Sequence, residues 1–209
     1  NDRSRKYSTP GSGRIASMWV SGTAGVACYC DGEWFRRELR LPPGARTLGV
    51  IAQLIERKGH TYLLQALPAL RERFPDLRVL VLGRGPLRET LEAETQRRGL
   101  ADTVRFAGFR EDLNRILPCL DLVVHPALRE GLGVSLLQAA AAGVPLVGCR
   151  AGGVPEVVRD GVNGRLVEPG DPSALGAAVG DLLADPEEAA RLGLAGRELV
   201  RREFDLDAM

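Results

Sequence analysis

The chain has 209 residues, 44% apolar and 26% charged, a globular composition long enough to bury a core without staples. Its 28 basic and 27 acidic residues leave a formal charge of +1, so no global field draws it to nucleic acid or anionic lipid, and any anion site must be local. No run of about 18 apolar residues occurs, and the amino end lacks the charged-then-apolar layout of a signal peptide, so a membrane-spanning protein is not expected.

Residues 1–46 read as a tail or linker: Asn1 to Gly13 is polar and turn-rich, and Ile15 to Tyr29 is a small-residue stretch without helical or strand period. From Thr47 onward the texture changes to short apolar runs alternating with amphipathic segments. The runs are TLGVIAQL, LRVLVLG, TVRFAGF, LDLVVHP, VPLVGC and NGRLVEP, six strand candidates in order. Helix candidates lie between and after them at Gly59–Phe74, Pro86–Arg98, Glu111–Leu117, Val134–Ala142, Val154–Arg159, Pro172–Leu183 and Pro186–Arg202. Strand and helix in alternation, with strands apolar on both faces, predict an α/β fold: a Rossmann-like, doubly wound parallel sheet over residues 47–209. Ligands of such sheets bind beyond the carboxyl ends of the strands, where loops meet helix amino-termini.

The loops at that edge hold the candidate chemistry. Lys58, one of two lysines in an arginine-rich chain, follows the first strand in Gln53-Leu54-Ile55-Glu56-Arg57-Lys58-Gly59. An ammonium beside exposed helix N–H groups suits a diphosphate, and a solvated turn residue is the competing reading. The second strand runs into Gly83-Arg84-Gly85-Pro86, where the glycines allow a tight turn and close backbone approach. A structural turn and a phosphate cradle are both compatible with it. At the end of the third strand, Phe109 either borders a planar base or caps the core.

The most informative stretch is His125-Pro126-Ala127-Leu128-Arg129-Glu130-Gly131-Leu132-Gly133-Val134-Ser135-Leu136-Leu137-Gln138. Bare N–H groups from Gly131, Leu132, Gly133 and Val134 at a helix start can hold a phosphate. Glu130, just outside that helix, is better suited to a neighbouring sugar's hydroxyls, since a carboxylate accepts several hydrogen bonds at once. Gln138 lies about 12 Å further along the helix, within reach of another part of the same ligand. His125 lines the pocket or fills the core, and no proton transfer is assigned to it. The next turn, Ala151-Gly152-Gly153-Val154-Pro155-Glu156, repeats the pattern of paired glycines before a helix, and two such turns make a better anion pocket than one.

These residues resemble the carboxyl-terminal domain of glycosyltransferase family 4, the second half of the two-Rossmann-domain GT-B fold. The likeness covers about Leu48 to Met209, with a weaker echo in Asp31-Gly32-Glu33-Trp34-Phe35-Arg36. It rests on nine motifs in order: L-x-x-R-K-G-H, V-L-G-x-G-P-x-R, V-R-F-x-G-F, D-L-V-V-x-P, R-E-G-x-G, A-A-G-V-P, G-G-V-P-E-V-V, D-G-x-N-G-x-L-V and P-G-D-P. The resemblance implies that Lys58 contacts a donor diphosphate, that the Gly131–Val134 turn receives the distal phosphate, and that Glu130 holds the donor sugar. A donor site of Gln53, Lys58, Gly83, Gly85, Phe109, Glu130, Gly131, Leu132, Gly133, Val134 and Gln138 follows, with Glu130 and Lys58 as the catalytic pair. Two positions depart from the family pattern. Its phosphate-binding arginine falls on Gln53, and its ribose-binding glutamate falls on Gln138.

What the resemblance implies for the reaction is transfer of a sugar from a nucleoside diphosphate sugar to a hydroxyl acceptor with retained configuration, and no cofactor or metal. Asp205-Leu206-Asp207 has the D-x-D pattern of a metal site, but its place at the chain end reads as a solvated tail. The family's acceptor-binding domain precedes this one, residues 1–46 are the segment leading in from it, and this chain alone is expected to bind donor without efficient transfer. Three rivals remain: a noncatalytic or degenerate nucleotide-sugar-binding module, a dinucleotide oxidoreductase, and a nucleotide-sugar epimerase. The oxidoreductase lacks its G-x-G-x-x-G turn and acidic partner. Cys28, Cys30, Cys119 and Cys149 form no C-x-x-C pair, so a reduced, cytoplasmic protein is expected, with peripheral membrane association through the acceptor half left open.

Overall fold

The computed structural model describes residues 30–204. The readings made for residues before Cys30, Cys28 included, and for Asp205-Leu206-Asp207 lie outside the described residues. Six strands, β1 Arg46–Ile51, β2 Leu77–Leu82, β3 Val104–Gly108, β4 Leu122–His125, β5 Leu146–Cys149 and β6 Gly164–Val167, form one parallel sheet in the order β3-β2-β1-β4-β5-β6. β2 to β6 fall within their apolar runs, and β1 begins one residue ahead of its run, at Arg46. Strand order reverses between β1 and β4, which places the switch-point crevice beyond Ile51 and His125.

Helices cover both faces. One core layer sets Leu63, Leu67 and Leu70 of α2 (His60–Arg73) and Val179 and Leu182 of α7 (Pro172–Ala184) on one face of the sheet. The other sets Leu136, Ala139 and Ala140 of α5 (Val134–Ala141) and Val200 of α8 (Pro186–Glu203) on the opposite face. Repeated Asp-Pro pairs start the last two helices. Asp171 accepts from the Ala174 N–H at 2.9 Å and Asp185 from the Glu188 N–H at 3.0 Å, each followed by a proline at the first helical position. Four shorter or more exposed helices complete the fold: α1 (Gly32–Glu38), α3 (Arg88–Arg97), α4 (Leu113–Ile116) and α6 (Val154–Val157).

Residues 30–45, the described part of the lead-in, pack against the domain ahead of the first strand. Asp31 caps α1 by accepting from the Trp34 N–H, Phe35 and Leu39 are buried in the second core layer, and Arg115 stacks on Trp34 at 3.8 Å. Arg110 bonds Glu38 at 2.9 Å, and Arg105 donates to the Leu39 carbonyl at 2.6 Å. Here the cysteine expectation is corrected. Cys30 and Cys119 form a disulfide, their Cα atoms 5.0 Å apart across a sequence separation of 89, because α1 packs beside the turn that ends α4. Cys149 is free and buried, and burial, then the charge of Glu168, pushes its thiol up to about 11. No described helix is long and apolar enough to cross a membrane.

Candidate functional site at the sheet switch point

β1 leaves the sheet at Ile51, passes Gln53 and makes a 3-10 turn over Glu56–Lys58 before Gly59 starts α2. Gly59 sits at φ +67, and a Cβ there would lie 1.9 Å from the Pro126 carbonyl oxygen. Only glycine allows this approach of the β1 and β4 loops. The two are also hydrogen-bonded, since the Arg57 carbonyl accepts from the N–H groups of Leu128 at 2.8 Å and Arg129 at 3.2 Å.

This joint delivers Lys58 to Glu130. Lys58 Nζ donates to Glu130 Oε2 in an ion pair whose side chains are only 10% and 9% exposed. His125, the last residue of β4 and itself 2% exposed, has its Nε2 at 2.6 Å from the same oxygen. Glu130 Oε1 accepts from the Gly131 N–H at 2.9 Å. Burial pushes the Glu130 carboxyl up, but the hydrogen bonds from Lys58, Gly131 and His125 outweigh it and hold the group down at about 2. An ionised carboxylate only accepts, so the shared proton resides on His125 Nε2. Burial holds the His125 imidazole neutral, against the pull of Glu130.

The glycine turn behind Glu130 is backed by the next loop. Gly153 N–H donates to the Gly131 carbonyl at 2.8 Å, and a Cβ on Gly152, at φ +54, would lie 1.9 Å from the Glu130 carbonyl oxygen. Gly133, at φ +77, is the N-cap of α5 and supplies no side chain to cap it. The helix therefore opens with its N–H groups uncapped by any side chain, beside exposed Gly131, Leu132 and Val134.

Not every predicted residue comes to this centre. Gly83 and Gly85 face backbone: Cβ atoms on them would lie 1.9 Å from the Ala52 carbonyl oxygen and 2.5 Å from that of Leu54. Of the two readings left open for that turn, this geometry gives the glycines a role in seating the β2 loop on the β1 loop. Phe109 is 56% exposed and does not cap the core; the Arg84 guanidinium stacks on its ring at 4.6 Å. Gln53 and Gln138 are exposed, and neither side chain is drawn into the Lys58–Glu130 pair.

Two residues emerge that sequence reasoning did not place. His125 was left between pocket and core, and it is the third member of the cluster. His60, at the first position of α2, is 5% exposed with neither ring nitrogen hydrogen-bonded. Burial, then the nearby His125 and Lys58, lowers its imidazole to about 4. The only hint was that both histidines of the chain stand at the carboxyl edge of central strands.

The fold and this switch-point arrangement define a Rossmann-like carboxyl-terminal domain of the GT-B glycosyltransferases. A family model, Glycosyl transferases group 1, matches residues 32–199, and the chain belongs to that family. It is 40% identical over 163 residues to the GDP-mannose-dependent alpha-(1-6)-phosphatidylinositol monomannoside mannosyltransferase of Mycolicibacterium smegmatis, covering 70% of this chain and 41% of that protein. It is 37% identical over 163 residues to the D-inositol 3-phosphate glycosyltransferase of Corynebacterium urealyticum, covering 73% and 38%. The chain thus spans about two fifths of the length of these relatives. Among solved structures, Anabaena Alr3699/HepE in complex with UDP and glucose superposes with a TM-score of 0.76 at 27% identity, covering 84% of this chain and 48% of that one. The C-terminal domain of the Francisella tularensis group 1 protein LpcC superposes with a TM-score of 0.74 at 25% identity, covering 82% and 92%.

Proposed function

We propose that this chain is the sugar-donor-binding half of a retaining, family 4 glycosyltransferase that passes a sugar from a nucleoside diphosphate sugar to a hydroxyl acceptor. The carrying observation is the buried Lys58–Glu130 pair held beside the uncapped start of α5. Lys58 and the N–H groups of the Gly131–Val134 turn supply positive potential for the diphosphate, and that potential grows in value as the leaving group gains charge. Glu130, ionised and fixed on three sides, accepts from sugar hydroxyls through its remaining lone pairs. Gln53 and Gln138 lie at the rim, and the exposed Phe109–Arg84 pair offers a flat surface to the base.

In this reading residues 47–209 are the nucleotide-sugar domain, and residues 1–46 lead in from an acceptor domain. Neither cofactor nor metal takes part, and any contact with a membrane surface is made by the acceptor half. The GDP-mannose dependence of one relative and the UDP complex of a structural neighbour support a nucleotide sugar as donor. The test is to join this chain to the amino-terminal domain of the Mycolicibacterium relative and supply GDP-mannose or UDP-glucose with excess chelator. Sugar transfer with an α-linked product, read from the one-bond carbon–proton coupling at the anomeric centre, is expected. An inverted product, or activity that chelator abolishes, would overturn the mechanism.

A further inference from the structure

Glu130 Oε2 is claimed twice, by the flexible ammonium of Lys58 and by the ring N–H of His125. These partners differ in kind. Lys58 is a point charge on a rotatable stem, and a diphosphate carries more negative charge than one carboxylate, so a bound donor draws the ammonium away from Glu130. His125 is 2% exposed and ends a central strand, so its ring stays where β4 puts it. Being neutral, it fixes the carboxylate without cancelling its charge and without competing for phosphate.

We propose that His125 is a positioning residue for Glu130, its Nε2–H keeping the carboxylate aimed at the donor sugar while Lys58 turns to the diphosphate. The inference rests on the donor-site reading above. Loop geometry alone leaves the carboxylate two tethers once Lys58 turns: the Gly131 N–H on Oε1 and the His125 N–H on Oε2. Removing the second frees the side chain to rotate about the first. The loss falls on recognition of the sugar and spares recognition of the nucleotide.

The experiment compares the 209-residue chain with His125→Leu, which fills the space without a donor, and His125→Gln, whose amide N–H reaches to about the place of Nε2. Each is titrated calorimetrically with GDP, GDP-mannose, UDP and UDP-glucose, and the Glu130 carboxyl is titrated by carbon NMR. Expected for His125→Leu is a loss of about tenfold in affinity for the recognised sugar nucleotide, with the bare diphosphate bound as before, the size of one charged hydrogen bond. His125→Gln is expected to restore most of that loss. In the NMR arm the Glu130 midpoint rises in His125→Leu and returns in His125→Gln. An unchanged ratio of sugar-nucleotide to diphosphate affinity in His125→Leu, or equal damage in both variants, would overturn the proposal. If the parent chain binds no nucleotide, the donor-site reading fails and the NMR arm decides alone: a Glu130 midpoint indifferent to His125 overturns the positioning role.

Discussion

Gly59 and Pro126 meet backbone to backbone, with the Gly59 Cα so near the Pro126 carbonyl oxygen that a Cβ would stand 1.9 Å from it. That contact lets the β1 loop set Lys58 against Glu130, across 72 residues of sequence. Gly59→Ala must leave the left-handed backbone at φ +67, at ~1–2 kcal/mol, or push the two loops apart. We expect a melting temperature lower by ~2–4 °C per kcal/mol lost, together with weaker nucleotide binding. A variant that melts with the parent and binds as well would show the loops to be independent.

Acid sensitivity should begin well above the carboxylate range. His60 is lowered from 6.5 to about 4 by burial first and then by His125 and Lys58. Between those values the unfolded chain takes up a proton that the folded chain refuses, so stability is full above 6.5 and falls as the pH drops toward 4. The His60 share of that fall is about 3 kcal/mol. Glu130 adds a second loss of the ordinary acid kind. Its folded value of about 2 lies below its unfolded 4.5, so its contribution is complete above 4.5 and is lost as pH falls through the lower value. Urea unfolding followed from pH 7.5 to 4 should show the first slope, to which the buried neutral His125 adds in the same sense, and His60→Leu should make it shallower. An equal slope in both proteins would remove His60 as its cause.

Gln53 stands exposed just past the end of β1, at the place where the family pattern carries an arginine. Gln53→Arg returns a cation to the crevice and should tighten binding of GDP or UDP by about tenfold, the worth of one charged hydrogen bond. The gain should shrink with added salt, as expected of a partly exposed charge. Calorimetry at two ionic strengths reads both effects, and an unchanged affinity would place Gln53 away from the phosphates.

The Cys30–Cys119 bond closes a long loop around the sheet, so its reduction should lower stability by ~2–4 kcal/mol. Comparing melts with and without reductant, beside a Cys30→Ser variant insensitive to reductant, checks this. Identical melts in reductant would show that packing of Phe35 and Leu39 alone secures α1.

Much of this architecture was legible because each strand is a compact apolar run, several of them bounded by glycine or proline, and periodicity needs no knowledge of partners. That Lys58, Glu130 and the Gly131–Val134 turn stand at strand ends was legible for the same reason, whereas their reading as one donor site came from the family resemblance and not from the local pattern. Their pairing was not. Only the neighbouring of β1 and β4 in the sheet sets Lys58 on Glu130 with His125 below, and strand order leaves no mark in a single sequence. The α1 helix escaped notice because seven residues carry too little period, and its anchors act through tertiary burial. The disulfide escaped for a like reason, since a separation of 89 has no spacing signature.

The central claim is that Lys58 and Glu130 serve two parts of one ligand. Calorimetric titration of the parent chain, Lys58→Ala and Glu130→Ala with GDP, GDP-mannose, UDP and UDP-glucose separates those parts. We predict that Lys58→Ala weakens the diphosphate and its sugar conjugate alike, by ~10- to 100-fold, whereas Glu130→Ala removes only the added affinity that the sugar brings. Parent-like binding in both variants, or no preference for any nucleotide in the parent, would contradict a donor site at the switch point.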